Sequence, residues 1–393
     1  MKIKYVRVHA LYAPFAEIFG GLQMVPHSLL HPASHFQKIP RLGQYATLVA
    51  IESTEGDIGW GEAFGLPHPG MSASLLRNLI APALVGMTID QPQEATTTLR
   101  SYFYALGHTR GPALEALSAI DIAIWDLLAK HHRVSLCRQL GALPGPVQAY
   151  VGSVPFLEGV QETAARALEF KLEGYKGVKL KIGRGAAIDT AHVAATRAAL
   201  GSDVALMLDA NAAYDVSTAI QIANAVAPNN VTWLEEPIRP DDAQGLAKVK
   251  AASPIAIAAG ENEFAFHQFE QLVLLGAVDI LQPNITRAGG VSGLLALDKL
   301  CAEYGIQMAP HGVGSAVGVA AALHVCRSAS SFAVYEANRL LNPLRDDLSQ
   351  YPLRASAGAF MAEDRPGHGV LPRPDLLQRY AFQELHDSPE EAS

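Results

Sequence analysis

Cysteine is scarce in this chain of 393 residues, which contains only Cys137, Cys301 and Cys326. Three widely separated thiols argue against a disulfide framework or a zinc cluster, and they are typical of core thiols in a reducing compartment. No apolar run approaches the length of a membrane span, and the N-terminus, MKIKYVRVHALYAP, lacks the sustained apolar segment of a signal peptide. The sequence therefore predicts a cytoplasmic protein without a membrane partner.

Positive charge is also limited. Lys and Arg total 30 against 38 Asp and Glu, which gives a formal net charge of −8. A chain without a basic excess has no electrostatic footprint for nucleic acid or for an anionic membrane surface. Because the net charge is negative, any anionic substrate must be held by local charges.

Apolar residues make up 49% of the chain and charged residues 17%, which is a globular balance with ample core.

The first 125 residues predict a mixed α+β unit. The runs IKYVRVHAL, YATLVAIES and IGWGEAF have the alternation of strands, and helical periodicity follows from residue 72 onward. A Pro-, Gly- and His-rich insert, residues 14–41, separates the first two runs. Loops of that length in a compact domain are usually functional or disordered, so we interpret this insert as a mobile lid.

The lid contains His27, His31 and His35 at intervals of four residues, which would align them on a helix as possible metal ligands. The prolines that precede His27 and follow His31 oppose one unbroken helix. We therefore interpret these histidines as surface or substrate-contacting groups rather than as a second metal site.

A repeating strand–helix unit follows the break at residues 141–146, with Ala-rich amphipathic stretches between strand-like runs. Alternating strands and helices predict a parallel sheet, and eight such units predict closure into a barrel. The eight runs are QAYVGSV, GVKLKIG, VALMLDAN, VTWLEEP, PIAIAAGEN, VDILQPN, GIQMAPH and FAVYEAN.

Three of these runs deliver a carboxylate where the strand should end: Asp209 in LMLDAN, Glu235 in TWLEEP and Glu261 in IAAGEN. The carboxyl ends of barrel strands lie at one face, so the three side chains should converge. Three carboxylates in a poorly solvated pocket must take up protons or bind a cation, and oxygen ligands in an open site favour Mg²⁺. The alternative for each acid alone is an ordinary helix cap.

Two lysines, Lys179 and Lys181 in VKLKIG, are two residues apart on a predicted strand and should both face the barrel mouth. We expect the two ammonium groups to lower each other's pKa and so to provide a neutral lysine base. The alternative is a pair of surface lysines. His311, at the end of the seventh run, should face the lysines as a proton-transfer group, whereas His324 is interpreted as a packed core histidine.

As an ordered set, KLK, DAN, EEP, GEN, QPNITRAGG, APH and VYEAN resemble the mandelate racemase subgroup of the enolase superfamily. The resemblance covers nearly the whole chain. It implies a modified TIM barrel of the (β/α)7β type with an N-terminal α+β capping domain. It also implies an enzyme whose Lys or His base works with Mg²⁺ on an enediolate, and a homo-oligomer.

The resemblance further implies a division into residues 1–125 as the capping domain with its lid, residues 126–350 as the barrel, and residues 351–393 as a segment that packs back on the capping domain. It also implies which residues bind metal and substrate. Asn211 would contact substrate or a metal-bound water. Arg287 either reaches the substrate, compensates part of the charge that Asn284 does not supply to the histidine, or is a surface residue. The implied Mg²⁺ ligands are Asp209, Glu235 and Glu261.

The acid/base residues are implied in the same way. Lys181 would be one acid/base, while Lys179 would neutralise the substrate carboxylate and tune Lys181. His311 would be the acid/base on the opposite face, and Glu336 would hydrogen-bond the developing enediolate. This charge arrangement would bind the transition state more strongly than the ground state.

Asn284 in LQPNITR departs from the subgroup, whose racemase-like members carry an Asp hydrogen-bonded to the histidine. We expect Asn284 to accept from His311 and hold its tautomer without stabilising an imidazolium, so the histidine should be less basic. That disfavours symmetric two-base racemisation and leaves Lys181 as base and His311 as acid.

The loops that would choose the substrate are the lid and FGLPHPG, whose polar groups suit a hydroxylated acid. The stretch EANRLLNPLRDDL is similar to members that act on aldonates, aldarates and their lactones. We therefore hypothesise a sugar-acid dehydratase that produces a 2-keto-3-deoxy acid. The alternatives are a cycloisomerase that opens a sugar lactone or anhydro ring, a racemase or epimerase, and a non-catalytic sugar-acid binder.

Overall fold

An antiparallel sheet forms the first part of the molecule, for which the computed structural model describes residues 1–383. Its strands are β1 (Ile3–Pro14), β2 (Gly43–Ser53) and β3 (Ile58–Ala63), paired in that order. The alternating apolar residues of β1 place one face of the sheet against helices and leave polar residues on the other. Three strands with one apolar face need such a cover for stability.

Helices cover this sheet, and the longest of them packs across β3. A methyl group on Gly61 would lie 1.9 Å from the carbonyl oxygen of Ala119, so glycine permits this close approach. The helices of this region are α1 (Phe15–Phe19), α2 (His27–Leu30), α3 (Pro69–Leu75), α4 (Ala81–Leu84), α5 (Pro92–Ala105), α6 (Pro112–His131) and α7 (Leu136–Gln139).

Eight parallel strands follow in the described part of the chain, one for each predicted run, which confirms the predicted barrel strands. The first seven are each paired with their neighbours in sequence, and the eighth strand pairs with the first. The strands are β4 (Gly145–Val154), β5 (Gly177–Lys181), β6 (Ala205–Asp209), β7 (Val231–Glu235), β8 (Ala256–Ala259), β9 (Ile280–Leu281), β10 (Gln307–Met308) and β11 (Tyr335–Asn338).

Backbone hydrogen bonds close these strands into a barrel between β10 and the segment that leads into β11. The amide of Met308 donates to Ser331 O and the amide of Ala333 donates to Met308 O, both over 2.9 Å. Side chains from successive strands fill the barrel interior, which is therefore a packed core rather than a pore. They are Tyr150, Met207, Trp233, Ala258, Ile280 and Ala309.

Long helices follow the first seven barrel strands, whereas β11 is followed only by the four-residue helix α15 (Pro343–Asp346). This confirms the (β/α)7β architecture. The seven helices are α8 (Val160–Leu172), α9 (Ala186–Leu200), α10 (Val216–Val226), α11 (Ala243–Ala252), α12 (Phe266–Leu274), α13 (Gly290–Tyr304) and α14 (Ala316–Ser328).

A buried carboxylate joins the N-terminal sheet to the barrel. Glu62 on β3 accepts hydrogen bonds from the amides of Ser315 and Gly318, each 2.7 Å long, and from the Ser315 hydroxyl. These donors lie at the first turn of α14, where a negative charge is favourable. Because His311 precedes this turn by four residues, Glu62 also positions the loop that carries the histidine.

The C-terminal part adds the strand β12 (Ala359–Ala362), antiparallel to β4, and the helix α16 (Pro374–Arg379). It then reaches β1, where Phe382 N donates to Ala10 O over 2.8 Å. Residues 384–393 lie outside the described residues, and they include the stretch HDSPEEAS, which the sequence predicts to be frayed.

The sequence placed the first domain boundary at residue 125, which lies within helix α6. The division into three parts stays a prediction. Among residues 1–383, no helix is both long and apolar enough to cross a membrane.

Candidate active site

Three carboxylates converge at the carboxyl end of the barrel strands. Asp209 and Glu235 are the last residues of β6 and β7 and are paired in register, while Glu261 lies two residues beyond β8. One carboxylate oxygen from each lies within 4.8 Å of the others. The strand–helix repeat thus brings together three residues that are 26 positions apart in the chain.

The charges of these carboxylates are strongly coupled. Burial raises the pKa of Glu235 to about 8, although the Lys179 ammonium group acts to lower it. Burial and, to a smaller extent, the Asp209 carboxylate raise the pKa of Glu261. Burial also acts to raise the pKa of Asp209, but Lys181 and Lys179 outweigh it and hold that pKa below its usual range.

One oxygen of the group has no hydrogen-bond partner among the described residues. The Glu261 Oε2 atom is buried, and although His311 Nε2 lies 3.2 Å away, the two are not aligned as a hydrogen bond. An orphaned carboxylate oxygen in a cluster of three acids is a donor set that fits a hard divalent cation.

The two lysines of β5 lie at different depths. Lys179 is fully buried, with Nζ donating to Glu235 Oε1 (2.7 Å) and lying 3.2 Å from Glu336 Oε1 and 3.4 Å from Asp209 Oδ2. Lys181 lies nearer the mouth, where Nζ contacts Asp209 and donates to Asn211 Oδ1 (2.7 Å). Both therefore face the carboxylates, as their two-residue spacing predicts.

The expected mutual lowering of the lysine pKa values is not the net effect. Burial lowers the pKa of Lys181 and Lys179 lowers it further, but the carboxylates of Asp209, Glu261 and Glu235 together outweigh them and the pKa is raised. Burial likewise lowers the pKa of Lys179, yet Glu235 and Glu336 hold it well above the usual range. The carboxylates that surround the lysines outweigh the repulsion between them.

His311 lies at the Glu261 end of the triad, whereas Lys181 lies at the Asp209 end. Its Nε2 is 3.2 Å from Glu261 Oε2 and 3.7 Å from Glu336 Oε2. Burial lowers the pKa of His311 to about 4 despite the neighbouring Glu336 carboxylate. The imidazole is therefore neutral near pH 7, in line with the expected low basicity.

The hydrogen bond between Asn284 and His311 runs in the opposite direction to the one predicted. Its Nδ2 donates to His311 Nδ1 and to Val313 O, each over 2.9 Å, and its Oδ1 accepts from the amide (2.9 Å) and hydroxyl (2.6 Å) of Thr286. Reversing the amide would set its oxygen against the Val313 carbonyl and its NH₂ against the Thr286 amide. We therefore assign the neutral His311 proton to Nε2, so the prediction that Asn284 accepts from the histidine is wrong.

A cavity of about 430 Å³ opens above these residues. Lys179, Asp209 and Glu235 lie beneath it and do not line it. The lining includes Pro32, His35, Phe36 and Arg41 from the lid, Phe64, Leu66 and Pro67 from the loop after β3, and Lys181, Asn211, Glu261, His311 and Glu336 from the barrel.

Arg287 also lines the cavity, but its guanidinium group is largely engaged by the protein. Nε donates to Glu115 Oε1 (3.2 Å), Nη1 donates to Asn262 Oδ1 (2.8 Å), and the group lies 3.6 Å from the centre of the Phe64 ring. These contacts join the capping sheet to the barrel mouth, and a role in substrate binding stays a prediction.

Glu236 and Asn262 are polar residues of the cavity that the sequence analysis did not single out. Glu236 is buried, accepts from Asn262 Nδ2 (2.7 Å), and has a pKa raised well above its usual range, first by burial and then by Glu261. Each of the two directly follows a predicted metal ligand, as in EEP and GEN. This adjacency was the only signal in the sequence. It is a weak one, because consecutive side chains of a strand point to opposite faces and the residue after a ligand is expected to face away from the site.

Comparison with known families gives two matches that together cover both parts of the molecule. Residues 162–376 match the family described as enolase C-terminal domain-like. Residues 35–141 match the N-terminal domain of the mandelate racemase / muconate lactonizing enzyme family.

Three relatives illustrate the similarity. A D-galactarolactone cycloisomerase of Agrobacterium fabrum is 34% identical over 348 residues, covering 85% of this chain and 90% of the relative. An L-talarate/galactarate dehydratase of Salmonella typhimurium is 35% identical over 273 residues, covering 69% and 68%. A crystal structure of a racemase from Streptomyces coelicolor A3(2) with bound magnesium superposes with a TM-score of 0.86 at 27% identity, covering 97% of this chain and 100% of the racemase.

Proposed function

This chain belongs to the enolase superfamily, in its mandelate racemase subgroup, and is an enzyme of the lyase or isomerase type; from that premise we propose that it is a Mg²⁺-dependent sugar-acid dehydratase. It would remove the proton next to a carboxylate and eliminate the β-hydroxyl, leaving a 2-keto-3-deoxy acid. The observation that carries this proposal is the placement of Lys181 and His311 at opposite ends of the acidic triad, both lining one cavity.

Asp209, Glu235 and Glu261 would hold the Mg²⁺ ion, and the unpartnered Glu261 Oε2 supports that assignment. When bound, the cation supplies positive charge that stabilises the negative charge developing on the substrate carboxylate. Asn211, which lines the cavity beside the triad, would contact the substrate.

Lys181 is the proposed base. Its Nζ takes the α-proton, and the electron pair of the broken C–H bond moves onto the substrate carboxylate. The neutral amine needed for this step is opposed by Asp209, which raises the Lys181 pKa, and is favoured by burial and by Lys179. Lys179 would balance the charge of the enediolate from below the cavity floor, and Glu336, which lines the cavity, would hydrogen-bond the enediolate when it carries a proton.

His311 is the proposed acid. The carbon–oxygen bond at the β-carbon breaks as electrons return from the enediolate, and the departing oxygen takes the proton from His311 Nε2. The enol that remains then tautomerises to the 2-keto acid. The donation leaves an imidazolate, whose Nδ1 accepts from Asn284 Nδ2, and the ring regains its proton from solvent. Because its pKa of about 4 makes neutral His311 a poor base for the α-proton, this arrangement supports elimination over a symmetric exchange of protons between two bases.

A cycloisomerase is the second candidate, favoured by the 34% identity to the D-galactarolactone cycloisomerase. The same groups would act, but the departing oxygen would belong to a ring and would stay in the molecule.

The test incubates the protein and Mg²⁺ with a panel of sugar acids and their lactones in D₂O. Loss of one water with formation of a keto acid supports the dehydratase, whereas ring opening without loss of mass supports the cycloisomerase. Exchange at C2 without elimination would indicate an epimerase, and binding without any exchange would overturn the enzymatic proposal in favour of a sugar-acid binder.

A further inference from the structure

Arg41 presents a buried guanidinium group to the substrate cavity at the end of the lid. The residue is only 7% exposed, yet its side chain lines the cavity. Nε donates to Gly43 O (3.2 Å) and Nη2 donates to Gln44, whose own amide donates to Leu341 O (2.5 Å). The planar group is therefore held rigidly on one side, while Nη1 has no protein acceptor within residues 1–383.

The charge of Arg41 has no counter-ion in the described part of the protein. Burial and, to a smaller extent, Arg345 lower the Arg41 pKa to about 10 against the opposing effect of Tyr45, so Arg41 stays a cation at neutral pH. Burial raises the pKa of Tyr45 to about 12, so that phenol is uncharged. Arg345 repels Arg41 and is itself paired with Asp346. A buried cation without a partner is costly, unless an anion reaches it from the cavity.

The position of Arg41 relative to the proposed base is indicated by His35. Burial, then Lys181 and also Arg41, lower the pKa of His35 to about 4, so both cations lie near this lid histidine. Lys181 contacts the acidic triad, whereas the Arg41 guanidinium group donates to Gly43 and Gln44 at the start of β2. The cavity thus has a reactive end at the barrel and a second cationic position at the lid.

We propose that Arg41 binds a second carboxylate of the substrate, remote from the reacting carbon, so that the enzyme acts on six-carbon dicarboxylic sugar acids rather than on their monocarboxylic counterparts. This inference rests on the proposed function. The second carboxylate is present from the start in an open-chain aldarate, or it is released as the leaving group when an aldarate lactone opens. In both cases a planar guanidinium with a free Nη1–H₂ edge matches a carboxylate.

The test compares matched substrates with Mg²⁺ present: hexarates, their monolactones, and the hexonates of the same configuration, which carry CH₂OH in place of the distal carboxylate. The wild-type enzyme should prefer the hexarate or its lactone by about 10²-fold in kcat/KM. Arg41→Gln should lower kcat/KM for the hexarate far more than for the hexonate, mainly through a higher KM, and so remove that preference. Arg41→Lys should retain part of the preference, because lysine keeps the positive charge but lacks the paired N–H donors of the guanidinium group.

Arg133→Gln is the matched control, since Arg133 pairs with Asp57 on the surface. Direct binding provides a readout without turnover: in a Lys181→Met background, calorimetry should show that Arg41→Gln weakens hexarate binding far more than hexonate binding.

Equal wild-type activity on hexarates and hexonates, or an equal loss on both in Arg41→Gln, would overturn the inference and leave the dehydratase intact, with Arg41 serving only to anchor the lid. If Arg41→Gln does not fold, the wild-type ratio and Arg41→Lys decide the question. Absence of C2 exchange with every acid tested would instead overturn the proposed function itself. A lactone preference identifies the released carboxylate as the group that Arg41 binds.

Discussion

Asn284 donates a hydrogen bond from Nδ2 to Nδ1 of His311 over 2.9 Å. The histidine therefore accepts at Nδ1 and carries its proton on Nε2, the atom that faces Glu261 and Glu336. Protonation would place an Nδ1–H against the Asn284 NH₂ group, which opposes an imidazolium in addition to burial. A neutral proton donor on one side of the triad follows from this single contact.

Replacing Asn284 by Asp should supply the charged partner that His311 lacks. A carboxylate at this distance raises the pKa of an imidazole by about 1–3 pH units, so the His311 pKa, followed by NMR, should rise from about 4 toward neutrality. The wild-type His311 ring should not titrate near pH 6.5. The control is Asn224→Asp, which adds the same charge at an exposed position, and a His311 pKa that does not move would contradict the assigned polarity.

Lys181→Met should lower kcat/KM by about 10²–10⁴-fold, because it removes the proposed base. Deuterium incorporation at C2 should be lost together with elimination, while Mg²⁺ binding persists. Lys171→Met is the control, since Lys171 pairs with Asp203 on the outside of the barrel. Exchange at the wild-type rate in the Lys181 variant would assign the base to another residue.

Removal of Mg²⁺ by a chelator should abolish turnover, and Glu261→Gln should raise the dissociation constant for Mg²⁺ by about tenfold or more, because one of three negative ligands is lost. Calorimetric titration with Mg²⁺ measures this directly. The increase in Tm on addition of Mg²⁺ should shrink in the same variant. Glu303→Gln, an exposed residue of α13, should behave as wild type; unaltered affinity in Glu261→Gln would remove it from the ligand set.

His324 should make the fold sensitive to mild acid. It is 1% exposed, accepts from the Cys137 amide (3.1 Å), and has a pKa lowered from 6.5 to about 4, first by burial and then by His368. The unfolded chain regains the ordinary pKa and takes up a proton that the folded chain does not. The free energy of unfolding therefore falls as the pH drops from 6.5 toward 4, by about 2 kcal/mol at pH 5 from this group.

Urea unfolding of His324→Gln at pH 7 and at pH 5 measures this contribution. The difference between the two pH values should be smaller than in the wild type by about 2 kcal/mol, whatever the variant's stability at pH 7. The exposed His267→Gln provides the control. An unchanged difference in His324→Gln would show that other groups cause the acid sensitivity.

The barrel and its acidic triad could be derived from the sequence because they depend on local periodicity. Strands that alternate with helices place their carboxyl ends at one face, so the regular spacing of Asp209, Glu235 and Glu261 predicts their convergence. The two-residue interval between Lys179 and Lys181 likewise predicts a shared side of β5. These inferences require only the order of elements along the chain.

The electrostatics of the same residues were decided by the tertiary structure. Whether Lys181 has a raised or a lowered pKa depends on the balance between burial and Lys179, which lower it, and the carboxylates led by Asp209, which raise it. The direction of the Asn284 amide depends on the Val313 carbonyl and the Thr286 amide. Arg41, 140 positions before Lys181, reaches the cavity only because the lid folds over the barrel mouth. Periodicity predicts which face a side chain joins, but the charges and hydrogen bonds it meets there come from segments distant in the chain.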